Sequence, residues 1–229
     1  LYTPSQSISN DELVSAFNTY VDEFNAEHAD EIAAGSVTEL AQSSSAFIEK
    51  ASGIKSRFVI NKDGIIDPKR MTPFIAERSN DEPSLQCEMA ITAAKQALEQ
   101  AGKTVDDVDA VIVACSNLQR AYPAVAVEVQ TALGIQGFAY DMNVACSSAT
   151  FGIQAAVNAI QTGSARCVLM VNPEICTAHL NFRDRDSHFI FGDACTAVIL
   201  EDSELASSDQ QFKVLGTKLQ TVFSNNIRN

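Results

Sequence analysis

Tryptophan is absent from the 229 residues, and histidine occurs only three times, as His28, His179 and His188. Imidazole general bases are therefore few. No apolar run approaches the ~20 residues that a membrane helix needs, so no span is expected. Basic residues number 16 against 29 acidic ones, giving a net charge of −13. With no basic stretch along the chain, a general nucleic-acid or membrane-surface binder is excluded. The cysteines are Cys87, Cys115, Cys146, Cys167, Cys176 and Cys195. None forms a C-x-x-C pair or stands at zinc spacing from a histidine, so no metal is expected. The opening LYTPSQSISNDE lacks the basic start and apolar core of a secretory signal. A cytoplasmic protein with reduced thiols is the expectation, since a chain of this size builds a core without disulfides.

What is there reads as an α/β chain. Residues 10–52 look helical and acidic, with a capping box at Ser36–Glu39 and a stop at Gly53. A short strand is expected over 57–60, then a loop over 61–80. A helix follows from Pro83 to about Gln100, with Gly102 after it. Buried strands are read at 109–115, 138–143, 166–172, 195–201 and 212–220, with helices over 123–133 and 147–162.

The stretch DMNVACSSATFGIQAA, residues 141–156, places Cys146 where a strand turns into a helix. A thiol in the first turn of a helix meets unpaired backbone N–H groups and the positive end of the dipole, which favour its thiolate. Such a turn lies at the carboxyl end of the strand, where open α/β sheets bind ligands. Ala145, Ser147, Ser148 and Ala149 leave room for a substrate, and the same N–H groups could hold a thioester oxyanion. That is a covalent acyl-transfer arrangement. Simple packing is the competing reading of Cys146, because free cysteine is among the most buried residue types. Cys115, Cys167 and Cys195 lie inside strand-like runs and read as core; Cys176 has no signal either way.

The same stretch resembles the nucleophile segment of the thiolase-fold condensing enzymes, closest to the ketoacyl-acyl-carrier-protein synthase III group. SGIKSRF (52–58), AYPAVAVEVQTALGI (121–135) and HFIFGDACTAVILE (188–201) resemble further segments of that group, in order and spacing. The resemblance covers about residues 40–220. It implies a thiolase-like layered αβα fold, with residues 1–201 as the N-terminal half, nearly complete, and 202–229 as the start of a second half. Segments 10–36 and 61–80 are longer than the family norm, and a lid over a longer acyl chain is expected at 61–80.

The implied reaction is decarboxylating Claisen condensation. Cys146 takes an acyl group from an acyl-coenzyme A or acyl carrier protein primer. Malonyl-acyl carrier protein then decarboxylates and attacks the acyl-enzyme. The His and Asn that assist decarboxylation in the family belong to the second half, and no matching segment is found, so the chain alone is expected to be inactive. His28 reads as solvated; His179 and His188 read as surface or hydrogen-bonded structural residues. The family's coenzyme A clamp aligns with Phe47 and Arg185, while Ala51 stands where it has a further Arg. Tyr122 aligns with the residue that closes the acyl pocket across a homodimer. Gly192 and Asp193 read as a structural turn. Lys55, Arg57, Lys69 and Arg70 are candidates for docking an acidic carrier protein. No cofactor beyond the thioester substrate is implied. A non-catalytic thiolase-fold partner subunit is the alternative. A cysteine hydrolase using Cys146 with a local histidine is a third reading.

Overall fold

Alternation along the central strands sets the layers. A computed structural model describes residues 1–79 and 81–223. It holds a four-stranded sheet in the order β4 (Phe138–Met142), β3 (Ala110–Ala114), β5 (Cys167–Ile175), β6 (Asp193–Glu201). β4, β3 and β5 run parallel, and β6 runs antiparallel to β5. Ala110, Ile112 and Ala114 of β3, with Val168 and Met170 of β5, face helix α7 (Ser148–Gln161). Val111, Val113, Leu169 and Val171 face helices α5 (Leu85–Ala101) and α6 (Val125–Leu133). Burial on both faces explains why β3 and β5 read as continuous apolar runs. A Cβ on Gly152 would collide with Met170 Sδ, so glycine there seats α7 close on the sheet.

A smaller layer has its own core. β1 (Gln6–Ser9) pairs antiparallel with β2 (Ser56–Val59). Helices α1 (Asn10–Glu27), α2 (Ala29–Ala33) and α3 (Ser45–Ser52) and the one-turn α4 (Asp63–Ile66) complete it. Ile8, Leu13, Phe17, Val21, Ile48, Ile65, Met71, Phe182 and Phe189 pack together there. Asp193 joins the two layers: its buried carboxylate accepts from Ile60 N at 2.8 Å, Thr177 N at 2.9 Å and Thr177 Oγ1 at 2.7 Å.

Several sequence expectations change. The segment 10–52 is not one helix. Ser9 and Glu12 form the capping box of α1, while Ser36–Glu39 falls in an irregular stretch that Asn25 and Asn18 hold by bonds to the backbone of Leu40 and Ser43. Gly53 does end α3, at φ 76°. The loop 61–80 includes α4, and its Ile65 and Met71 are buried in the smaller core; Asn80 lies outside the described residues. No strand forms over 212–220: Phe212 is fully exposed and Leu215 is 90% exposed, because no neighbouring strand offers a ladder. Within the span 202–229 read as the start of a second half, residues 224–229 lie outside the described residues. Among the described residues, no helix is long and apolar enough to cross a membrane.

Candidate active site

Cys146 stands between the end of β4 and the start of α7. It is exposed, and the other five cysteines are buried or half-buried. Ala145 before it has φ 47°, the left-handed backbone that turns the chain sharply. Two side chains fix this turn. Asn143 Oδ1 accepts from Ala145 N at 2.9 Å while Asn143 Nδ2 donates to Ser116 O at 2.7 Å. The buried Ser148 hydroxyl accepts from Val144 N at 2.8 Å and lies 2.7 Å from Ala145 O and 3.1 Å from Cys115 O. The thiol therefore projects from a braced turn at the carboxyl edge of the sheet, at the head of α7.

The other thiols are chemically quiet. Burial pushes Cys115 and Cys195 up to about 12, and Cys167 up to about 11. Cys176 is raised to about 11 by burial first, then by Glu174, with Asp193 and Cys146 adding to the effect. Glu174 accepts from both Ser116 N and Ser116 Oγ at 2.6 Å, so a hydrogen-bonded path runs from Cys176's neighbour Glu174 through Ser116 to Asn143 and the Cys146 turn. Sequence reading missed Glu174 and Ser116, which only the pairing of β3 with β5 brings together, and Asn143, which is close to Cys146 in sequence but whose bond to Ser116 O forms only in the fold.

Phe47 and Arg185 do meet. The Arg185 guanidinium lies 4.2 Å from the Phe47 ring centroid, and its Nε donates to Gln42 O at 2.8 Å. Phe47 also meets Phe189 edge-on at 6.0 Å. A cation over an aromatic face gives a flat, positively charged surface suited to a nucleotide base or phosphate. Tyr122 is 90% exposed on the loop between β3 and α6.

Two of the three histidines differ from expectation, while His179 lies at the surface as read. His28 is half-buried, stacked on Phe24 at 4.2 Å with Nδ1 2.9 Å from Phe24 O, rather than solvated. His179 is exposed. His188 is fully buried, edge-on to Phe17 at 4.6 Å, and among the described residues neither ring nitrogen makes a well-formed hydrogen bond. Burial holds it down at about 4, so at neutral pH it is an uncharged core residue rather than a surface one. Arg57 also leaves the basic patch: it is buried, donating to Ile8 O at 3.1 Å and Asn10 Oδ1 at 2.5 Å. Among the described residues no cluster of His, Cys, Asp and Glu could hold a metal ion.

Comparison with known proteins bears on this arrangement. The sequence profile of 3-oxoacyl-[acyl-carrier-protein] synthase III matches residues 140–222, which include the Cys146 turn. A beta-ketodecanoyl-[acyl-carrier-protein] synthase of Pseudomonas aeruginosa is 70% identical over 216 residues, covering 94% of this chain and 62% of its own length. The crystal structure of 3-oxoacyl-[acyl-carrier-protein] synthase III from Aquifex aeolicus superposes with a TM-score of 0.64 at 25% identity, over 89% of this chain and 52% of that one. The corresponding Pseudomonas aeruginosa synthase III structure gives 0.64 at 24% identity, over 88% and 49%. The chain thus spans from about half to 62% of the length of these relatives.

Proposed function

Since the chain belongs to the 3-oxoacyl-[acyl-carrier-protein] synthase III family and carries its mixed α/β thiolase-like fold, we propose that Cys146 is the acyl-accepting nucleophile of a decarboxylating condensing enzyme of fatty-acid biosynthesis. The observation that carries this reading is the exposed Cys146 thiol on a left-handed turn braced at the head of α7. The thiolate attacks the carbonyl of an acyl thioester. The oxyanion forms at the helix N-terminus, whose N–H groups offset its charge. The carrier thiolate leaves, takes up a proton, and the acyl group remains as a thioester on Cys146. Malonyl-acyl carrier protein then loses carbon dioxide, and its carbanion displaces Cys146 to give a β-ketoacyl product. The groups that assist decarboxylation belong, in this reading, to a second thiolase-like half that starts near residue 202 and extends beyond this chain. Acylation is thus the step that the residues described here supply.

The related Pseudomonas aeruginosa protein is named for a β-ketodecanoyl product. A ten-carbon product made by two-carbon extension needs an eight-carbon primer, and we carry an octanoyl thioester over to this chain. Phe47 under Arg185 receives the adenine or phosphate of a coenzyme A primer, and Tyr122 closes the acyl pocket of a partner subunit in a homodimer. An acyl carrier protein is the remaining partner, and the cytoplasm the expected compartment. The non-catalytic partner reading is weakened by the exposed thiol, and the hydrolase reading by a His188 that makes no well-formed hydrogen bond among the described residues.

The test is the intact mass of the protein after incubation with octanoyl-coenzyme A, beside Cys146→Ala. One octanoyl adduct, absent from the variant, is expected. An adduct that survives in Cys146→Ala would refute the assignment.

A further inference from the structure

Gln86 is a polar residue in the first turn of α5, yet it is only 2% exposed. Its Nε2 donates to Asn117 O at 2.5 Å and to Pro173 O at 3.0 Å, and its Oε1 accepts from Gln119 N at 2.6 Å. Gln119 Oε1 in turn accepts from Gln86 N at 3.4 Å, satisfying an orphan donor of the helix start. One side chain thus ties the β3–α6 loop to both β5 and α5.

Near this point the loop is also held by Ser116, which bonds Glu174, and by Leu118, which packs against the sheet's core. A cavity of ≈ 80 Å³ lies against Gln86, bounded by Ile75, Leu85, Ile175 and Ala178 as well as by Asn117 and Gln119. Side-chain packing is therefore incomplete on the loop's inner side, and hydrogen bonds set its position. Ala121, Tyr122 and Pro123 are all exposed, and the next backbone hydrogen bonds are those that Ala124 O accepts from Val127 N and Glu128 N. Beyond Gln119, the loop is steadied by Arg120 paired with Glu128 at 3.3 Å, and Glu128 also receives the Ser84 hydroxyl at 2.5 Å.

We propose that Gln86 is a positioning residue for primer chain length, holding the β3–α6 loop so that Tyr122 stands where an acyl pocket must end. This rests on the reading of Tyr122 as a pocket wall given above. Removing the amide leaves the buried Pro173 O without this donor and frees Asn117 and Gln119, on the loop, from their bonds to α5. The cheapest relief is for the loop to swing toward water, carrying Tyr122 with it. Gln86 Nε2 lies 4.0 Å from the buried Cys115 thiol and, among the described residues, has no bond to Cys146, so its loss alters which primer is accepted before it alters whether acylation occurs.

The experiment compares kcat/KM for octanoyl- and acetyl-coenzyme A in the protein as its gene encodes it. Gln86→Met keeps the side chain's length and removes its hydrogen bonds. The octanoyl-to-acetyl ratio is expected to fall about tenfold, with acetylation of Cys146 retained, because a small misplacement of a substrate-facing group is costly in rate. Val21→Ala, in the other core, controls for lost stability and leaves the ratio unchanged. Tyr122→Ala lowers the ratio in the same direction. A Gln86→Met ratio within about twofold of wild type, or an equal loss with both primers, overturns the proposal. A Tyr122→Ala ratio that does not move overturns the route through that ring. A wild-type Cys146 that takes neither primer is a separate failure, that of the acylation reading itself, and removes this proposal with it.

Discussion

Ala145 carries a left-handed backbone without being glycine, at a cost of about 1 kcal/mol. The bonds from Asn143 and Ser148 offset that cost and fix the direction in which Cys146 points. His188 is the other residue whose environment sets its behaviour. Burial lowers it from 6.5 to about 4, with Arg57 and Arg185 pushing the same way, and Asp184 and the Phe182 backbone opposing. The unfolded chain takes up this proton near pH 6.5 and the folded chain only near 4. The unfolded state therefore binds more protons across that window, so this contribution is full above 6.5 and is lost as pH falls to about 4. Thermal unfolding between pH 7 and pH 4.5 should cost wild type about 2–3 kcal/mol more than His188→Leu. Equal pH slopes in the two proteins would sink the assignment.

Helix α6 shows how an element depends on a distant residue. Its N-cap position is Ala124, which offers no side-chain acceptor. Asp141 of β4 fills that role, accepting from Val125 N at 2.8 Å and Ala126 N at 2.7 Å, and burial raises its carboxyl above the usual range. Periodicity placed a helix over 123–133, and the helix starts two residues later, where the Asp141 carboxylate meets it. Asp141→Ala should cost about 1–2 kcal/mol in denaturant titration, with amide protection lost at Val125 and Ala126. Unchanged protection there would show that packing of Val125 and Val129 alone starts the helix. In the segment 10–52, local rules were less informative. A capping box at Ser36–Glu39 is available in sequence but lost to the side-chain amides of Asn18 and Asn25, which bond the backbone of the irregular stretch.

At the scale of the molecule, two cores share one chain: the sheet with α5, α6 and α7, and the smaller layer built on β1, β2 and α1. They meet where Gly192 approaches Phe58 O and where Asp193 holds Ile60. Past Glu201 the chain adds no regular element up to residue 223, and its large apolar side chains Phe212 and Leu215 stay exposed. Backbone outside a cooperative core opens at little cost and is cleaved first. Limited trypsin digestion should cut at Lys213 and Lys218 while the preceding residues stay intact by mass. First cuts at Lys55 or Lys95 would contradict the two-core description.

The amino-acid sequence alone determined the class and the parallel strands and singled out Cys146 as a candidate, because buried strands and a cysteine at a strand-to-helix turn leave a local pattern. The runs at 109–115 and 166–172 became β3 and β5, and Cys146 became the exposed thiol. Only the tertiary structure decided the roles of residues whose partners are far away in sequence. Gln86 reaches Pro173 across 87 residues, Ser116 meets Glu174 across 58, and Arg57 is buried against Ile8. Their chemistry depends on desolvation and on hydrogen-bond partners, which exist only once the sheet has brought those strands and loops together.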